Sequence, residues 1–240
     1  MTRHLCLLTT SAIIAGIAGC ASSPAPPPEP AEVRIANAEI GGLAFDVCVD
    51  GDVVLTDSRF GTITDYVELD AGSVTLEQVV PGSDCDDFIN DLFGDDATVT
   101  LGEGTVSTLV LLADGESGFQ LDDDRSRVRV GQARVRLINA SEDSLSLTVT
   151  EDGGILDGGT TLFDAVRYNE PGDYAYDEFD AGTYDLTITP LAGDMTPLEI
   201  AGVQFARGNV YTLFAVGRVD GEGKAFDVIV VNDAAPGEVE

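Results

Sequence analysis

The sequence predicts an all-β protein in which a signal peptide and a Pro-rich linker precede two tandem antiparallel β-sandwich domains of the immunoglobulin-like type. Three observations predict this fold class. Apolar and polar residues alternate along segments such as residues 43–50. Turn signals recur about every 8 to 12 residues, and one pattern with a period of about 100 residues occurs twice.

Residues 1–19 have the features of a lipoprotein signal peptide. Arg3 and His4 give a positive start, and the apolar run after them is too short to span a bilayer comfortably. The run ends in Ile17-Ala18-Gly19-Cys20, which resembles the lipobox of bacterial lipoproteins. The resemblance implies that Cys20 carries fatty acyl chains such as palmitate, which anchor the chain to a membrane. The alternative is an ordinary secretory signal with a chance cysteine.

Residues 20–30 form the predicted lipidated cysteine and Pro-rich linker. Proline lacks an N–H and fixes φ, so Ser22–Pro30 cannot form helix or sheet. At about 3.1 Å per residue, this stretch would hold the folded part about 25 to 30 Å from the membrane. No Asp stands beside Cys20. In the Gram-negative sorting pattern that this resembles, the absence of Asp implies the outer membrane.

The repeated pattern predicts two domains, residues 31–124 and 125–235, with a short tail at 236–240. The segment 33–38 returns at 135–140, 102 positions later, and Tyr66 corresponds to Tyr176, 110 positions later. A period near 100 residues indicates a duplicated domain, since solenoid repeats are about 20 to 50 residues long.

Each copy is expected to contain about seven strands. Phe45, Val47 and Val49 alternate with more polar residues, and Asp50-Gly51 is a typical hairpin turn. The segments 106–113 and 210–216 are nearly continuously apolar. Residues 87–93 are the one segment with a helix-like pattern.

These motifs also carry a family resemblance. The first copy contains Val-Arg-Ile-Ala-Asn-Ala at 33–38, Phe60-Gly61 before Tyr66, and Asp-Ala-Gly at 70–72. The pattern resembles, twice, the bacterial domain of unknown function 4397 family. The copies depart from it at Ala38-Glu39, where Ala-Ser is usual, and at 147–149, where Asp-Val-Tyr is usual. The resemblance implies an exported β-domain and provides no catalytic residue.

The cysteines predict one disulfide. Cys6 lies in the segment expected to be removed and Cys20 is expected to take lipid, which leaves Cys48 and Cys85. In an oxidising compartment we expect these two to be bonded. Because side chains alternate along a strand, Cys48 should point to the face opposite Phe45 and Val47, which is the outside of the sheet. The bond would then hold the loop around Cys85 against that outer face. The alternative, a metal site, needs more ligands than two cysteines.

The charge excludes nucleic-acid binding. The chain has 12 Lys+Arg against 43 Asp+Glu, a formal net charge of -31, and Lys224 is its single lysine. The single histidine is His4, so the mature chain has no Ser-His or Cys-His pair. The residues leave open a glycosidase-type carboxylate pair. The chain has no Trp to bind sugars, and we therefore expect no enzyme activity and no cofactor.

Acidic clusters offer weak calcium candidates. Their residues are Asp84, Asp86, Asp87 and Asp91, with a second cluster at 122–124. Neither cluster has the residue spacing of a calcium-binding loop. A solvated acidic surface, as in a protein that lives in high salt, is the favoured interpretation.

Three tyrosines offer a possible ligand surface. Tyr168, Tyr174 and Tyr176 surround the turn Glu170-Pro171-Gly172 and could stack on a sugar ring. The correspondence of Tyr176 with Tyr66 favours a core or corner position for that residue instead.

The sequence therefore predicts a non-enzymatic, lipid-anchored cell-envelope protein with a structural or ligand-binding role. The alternatives are a glycan-binding lipoprotein and a calcium-dependent adhesion module. The expected partners are the membrane, through the lipid anchor, and an envelope protein or a polysaccharide.

Overall fold

A computed structural model of the chain describes residues 26–38, 44–91, 98–112, 118–151, 159–191, 196–234 and 237–239. The predicted signal peptide, Cys6, Cys20 and the first part of the Pro-rich linker lie outside the described residues. Within those ranges no helix is long and apolar enough to cross a membrane.

The first half of the chain forms two facing sheets. The inner sheet has the strand order β4-β1-β8-β9, and the outer sheet has the order β3-β2-β5-β6, with β7 also pairing with β5. The strands are β1 (Ala31–Asn37), β2 (Phe45–Val49), β3 (Asp52–Ser58), β4 (Val67–Leu69), β5 (Gly72–Val79), β6 (Phe88–Asp91), β7 (Thr98–Leu101), β8 (Val106–Leu111) and β9 (Phe119–Asp122).

The second half repeats this arrangement. Its inner sheet has the order β14-β11-β17-β18 and its outer sheet the order β13-β12-β15-β16. The strands are β10 (Val128–Arg129), β11 (Gln132–Asn139), β12 (Ser146–Glu151), β13 (Thr160–Arg167), β14 (Asp177–Asp180), β15 (Gly182–Pro190), β16 (Leu198–Phe205), β17 (Val210–Val216), β18 (Asp227–Ala234) and β19 (Glu238–Val239). The predicted all-β class with two sandwich domains is confirmed.

One pair of strands in each inner sheet is parallel, so these sheets are mixed. β1 runs parallel to β8, and β11 runs parallel to β17. The other strand pairs within the inner and outer sheets, among the described residues, are antiparallel, as expected. These parallel pairs join residues about 75 positions apart in sequence, such as Glu32 with Val106 and Arg134 with Val210. Local alternation cannot reveal which distant strands are neighbours.

The second outer sheet has one continuous strand, β16, where the first has the two shorter strands β6 and β7. Both β6 and β7 pair with β5, and residues 92–97 lie between them. The first copy has six more residues than the second between its Asp-Ala-Gly and its last apolar strand. The prediction of a helix at 87–93 is wrong. A short 3-10 turn at Cys85–Asp87 is followed by strand β6, whose residues 88–91 pair with β5.

The four sheets stack in four layers, and the central strands of the inner sheets, β1, β8, β11 and β17, are buried on both faces. Val33 and Ile35 of β1 pack into the first sandwich, whereas Ala36 packs against the second. Every residue of β17 is buried. The nearly continuous apolar segments of the sequence are therefore strands that pack on both sides.

The disulfide is formed between Cys48 and Cys85, whose Cα atoms are 5.9 Å apart. Cys48 lies on the face of β2 that points away from the first core, as predicted, and its side chain is nevertheless fully buried. Cys48 packs with Cys85 and Val79 in a small separate apolar cluster. The bond thus ties the 3-10 turn before β6 to the outside of the sheet.

Removing the disulfide with Cys48→Ala/Cys85→Ala should lower the free energy of unfolding by about 2 to 4 kcal/mol, because the bond restricts the unfolded chain across a 37-residue separation. Urea unfolding of the variant and of the wild type measures this loss. Wild-type protein in reductant is the control and should match the variant. Equal stability of oxidised and reduced wild type would contradict the prediction.

The end of the chain adds a short strand to the predicted tail. Val128 and Arg129 of β10 pair in parallel with Glu238 and Val239 of β19. The Val128 side chain is buried. The segment between the sandwiches is therefore held against the end of the second one.

Candidate functional site

The most polar buried region of the described chain lies where the two inner sheets face each other. Apolar side chains form most of this interface, including Val110 and Phe119 from the first sandwich and Ile138 and Phe214 from the second. Phe119 also contacts Tyr174 across the interface, with ring centroids 5.5 Å apart. Inside this apolar surround lies a set of charged and hydroxyl side chains, which we call the interdomain cluster: Arg34, Tyr66, Thr108, Asp123, Arg136, Tyr176, Thr212 and Asp233.

Arg34 reaches from β1 into the second sandwich. Its Nη1 donates to Asp233 Oδ1 at 2.5 Å, and its Nη2 donates to Thr212 Oγ1 at 3.2 Å. Its Nε donates to Thr108 Oγ1 of its own sandwich at 2.7 Å. The Arg34 side chain is 1% exposed, so it spans the interface entirely within the protein.

Arg136 makes the reciprocal contacts from β11. Its Nη2 forms a very short ion pair with Asp123 of the first sandwich and donates to Thr108 Oγ1 at 3.3 Å. Its Nε donates to Thr212 Oγ1 of its own sandwich at 3.0 Å. Each arginine therefore pairs with the aspartate of the other sandwich.

Threonine and tyrosine hydroxyls hold the two carboxylates in place. Asp123 Oδ2 accepts hydrogen bonds from Thr108 at 2.6 Å and from Tyr66 at 2.7 Å. Asp233 Oδ2 accepts from Thr212 at 2.5 Å and lies 3.4 Å from the Tyr176 hydroxyl. Every carboxylate oxygen in the interdomain cluster thus has a donor, which is the condition under which buried charges are tolerated.

The aromatic rings complete the cluster. The Arg34 guanidinium carbon lies 5.0 Å from the centroid of the Tyr66 ring, and that of Arg136 lies 4.6 Å from the Tyr176 ring. Guanidinium groups are attracted to the negative faces of such rings. The prediction that Tyr176 has a core position equivalent to that of Tyr66 agrees with this placement.

Burial and charge set the ionisation of these groups. Burial is the largest single effect on Arg34 and lowers its pKa, but Asp233, Tyr66 and Asp123 together outweigh it, so the net pKa is raised. Burial raises the pKa of Tyr66 and Tyr176 far above 10.0, and the carboxylates beside them add to this. Arg34 is therefore charged, and both tyrosines are neutral, over the whole physiological range.

The raised tyrosine pKa values predict loss of stability at high pH. Below pH 10 both the folded and the unfolded chain keep the phenol protons, so the stability contributed by Tyr66 and Tyr176 is complete. Above about pH 10 the unfolded chain loses these protons and the folded chain does not, so the free energy of unfolding falls as pH rises. Urea unfolding across this range measures the slope.

Tyrosinate absorbance provides a control for the alkaline prediction. The chain unfolded in urea should ionise its six tyrosines near pH 10, whereas folded protein should ionise fewer of them there. The variant Tyr66→Phe should show a shallower fall in stability with pH. Ionisation of all six tyrosines near pH 10 in protein that stays folded would contradict the prediction.

The interdomain cluster is suited to holding two domains together. Its charges balance, two arginines against two aspartates, and its hydroxyls connect them into one network. Arginine stays protonated in proteins and does not act as a base. The chemistry that these side chains support is therefore mutual recognition between the two sandwiches.

Two of the three tyrosines proposed as a ligand surface are packed inside the structure. Tyr174 is 4% exposed, and its hydroxyl lies 2.8 Å from the Asn139 carbonyl oxygen. Tyr176 belongs to the interdomain cluster. Tyr168 is half-buried against the apolar core. The expectation of an exposed stacking surface is wrong for Tyr174, because the turn at Pro171–Asp173 directs its side chain inward.

The calcium candidates whose side chains the structure describes do not form a metal site. Asp84 and Asp86 are exposed, and no group of three or more acidic, cysteine or histidine side chains that could hold a metal ion occurs among the described residues. The side chains of Asp87 and Asp91 lie outside the described part of the structure. In the second cluster, Asp123 is buried in ion pairs, while Asp124 forms an ion pair with Arg134 at 2.8 Å.

Sequence reasoning missed the interdomain cluster, although one signal was present. The arginines occur at the same position in both copies, each within a strand of otherwise largely apolar residues. A charged residue repeated in such a strand indicates a buried partner. Asp123 gave no comparable signal, because it stands between Asp122 and Asp124.

A family model described as Domain of unknown function (DUF4397) matches residues 31–150. The match covers the first sandwich and continues to β12 of the second. No curated protein sequence matches the chain.

Two solved structures show limited similarity. The C-terminal domain of AlgF from P. aeruginosa is 20% identical, with a TM-score of 0.29, over 44% of this chain and 99% of that chain. A leucine-rich repeat protein from Bacteroides thetaiotaomicron is 14% identical, with a TM-score of 0.20, over 80% of this chain and 26% of that chain.

Proposed function

The chain belongs to the family of the domain of unknown function DUF4397, and from this premise we propose that it is a non-enzymatic, lipid-anchored protein of the cell envelope. Its two sandwiches would act as one rigid structural or binding module. The observation that carries the proposal is the interdomain cluster, because its buried charges are used to join the domains.

The lipid anchor is supported by the start of the sequence. A positive start, a short apolar run and Ile17-Ala18-Gly19-Cys20 occur in the order that lipoprotein processing requires. The Pro-rich segment after Cys20 would separate the folded part from the membrane. The disulfide between Cys48 and Cys85 is typical of an oxidising, extracytoplasmic compartment.

Both sandwiches are, in this proposal, tandem copies of the same family domain. Their inner sheets have equivalent strand orders, β4-β1-β8-β9 and β14-β11-β17-β18. The cluster residues correspond pairwise between the copies, Arg34 with Arg136 and Tyr66 with Tyr176. A duplicated domain whose copies contact each other through equivalent residues accounts for these correspondences.

Metabolic labelling with an alkyne fatty acid in a Gram-negative host tests the anchor. Wild-type protein should incorporate the label and sediment with the outer membrane on a density gradient. The matched control Cys20→Ser should be unlabelled and should leave the membrane fraction. Wild-type protein that is exported, cleaved and unlabelled would refute the proposal.

A further inference from the structure

The face that each sandwich presents to the other is self-complementary. It contributes one arginine, one threonine, one aspartate and one tyrosine from each side. Each arginine crosses to the aspartate of the opposite sandwich, Arg34 to Asp233 and Arg136 to Asp123. An interface in which the same patch meets itself is of the kind that normally joins two copies of one protein.

The contacts in this interface do not require that the two sandwiches belong to one chain. They come from β1, β8, the end of β9 and the residue before β4 on one side, and from β11, β17, β18 and the residue before β14 on the other. The segment 124–127 joins the two sets, and Arg125 in that segment pairs with Glu32 of β1 at 2.7 Å. The segment also contacts the second sandwich, through Asp124 and Arg134 at 2.8 Å. The covalent link in addition raises the effective concentration of one domain near the other.

We propose that this face also binds the corresponding domain of a second copy of this chain, so that two chains exchange domains and form a closed dimer. In the dimer, the first sandwich of each chain packs on the second sandwich of the other. Both interdomain clusters form again with the same ion pairs and hydrogen bonds. The segment 124–127 is the hinge.

Complementation between two defective full-length chains tests the exchange. Arg34→Met leaves Asp233 without its arginine, and Asp233→Leu leaves Arg34 without its aspartate. In an exchanged heterodimer of these two variants, one interface has the wild-type pair and the other lacks both members of the pair. Neither interface then contains the unpaired charge that each monomer must bury.

The matched control uses two substitutions in the same sandwich. Arg34→Met mixed with Asp123→Leu gains nothing from exchange, because each interface keeps one defect. The chains of each mixture are unfolded in urea, refolded together and analysed by native mass spectrometry. We expect at least about tenfold more heterodimer from the complementing pair than from the control pair.

The outcomes separate clearly. Excess heterodimer in the complementing mixture alone supports the exchange. Equal amounts in both mixtures, or none in either, overturn it. If the variants do not fold, wild-type chains refolded at high and at low concentration replace them. A dimer that forms at high concentration and separates only on unfolding supports the proposal, whereas a monomer at every concentration overturns it.

Discussion

Replacement of Arg136 by methionine is expected to lower the free energy of unfolding by about 3 to 5 kcal/mol. Methionine keeps part of the side-chain volume but removes the guanidinium group of the second sandwich that pairs with Asp123. The buried carboxylate of Asp123 then lacks its main partner. Arg34 lies 3.8 Å from Asp123 and is already paired with Asp233. Urea unfolding measures the loss.

Three further variants give this prediction its controls. Arg34→Met should cost about the same as Arg136→Met, because the contacts of the two residues are equivalent. Arg59→Met removes an exposed pair with Asp57 and should leave stability nearly unchanged. The double variant Arg136→Met/Asp123→Leu removes both charges and should recover at least about 1 kcal/mol relative to Arg136→Met. Arg34→Met or Arg136→Met with the stability of the wild type would refute a structural role for the cluster.

Substitution of Gly217 by alanine is expected to destabilise the protein by more than about 3 kcal/mol. Gly217 follows β17 with φ of +83°, in the left-handed region that favours glycine. A Cβ there would lie 2.8 Å from the carbonyl carbon of Ala225 and 3.0 Å from the carbonyl oxygen of Lys224, with the Ala225 oxygen closer still. These backbone atoms cannot move without displacing the loop before β18.

Gly221 provides the matched control in the same loop. Its φ is +76°, and a Cβ at that residue would have no atom within 4 Å beyond its chain neighbours. Gly221→Ala should therefore cost only the left-handed backbone strain, about 1 to 2 kcal/mol. Thermal or urea unfolding of the two variants separates steric clash from strain. Equal effects of the two substitutions would show that the clash is relieved.

Local sequence patterns predicted much of the fold because the strands alternate and their turns use characteristic residues. Phe45, Val47 and Val49 do face the first core, and the Asp50-Gly51 turn has positive φ at both residues. The disulfide followed from the number of cysteines and the expected compartment. The parallel pairing of β1 with β8 could not be predicted, because it depends on contacts between segments far apart in sequence.

The candidate site was harder to predict for a related reason. The sequence shows that residues 210–216 are nearly continuously apolar, which is consistent with burial on both faces. It does not show which surface covers the second face. That surface is the other copy of the domain. Tyr174 lies near a Pro-Gly turn and was expected to form part of an accessible ligand surface, but packing on Phe119 places it inside. Tyr176 was expected at a core or corner position, but its partner Arg136 could not be predicted.

The parallel course of the inner strands determines where attachments to this protein would lie. β1 and β11 begin at one pole of the molecule, where Arg125 meets Glu32 and β10 pairs with β19. A fluorescent protein fused after β19 would therefore sit on the same side as the Pro-rich segment. A short epitope inserted at Gly221, between β17 and β18, would project from the opposite pole, away from the Pro-rich segment and from a fusion after β19.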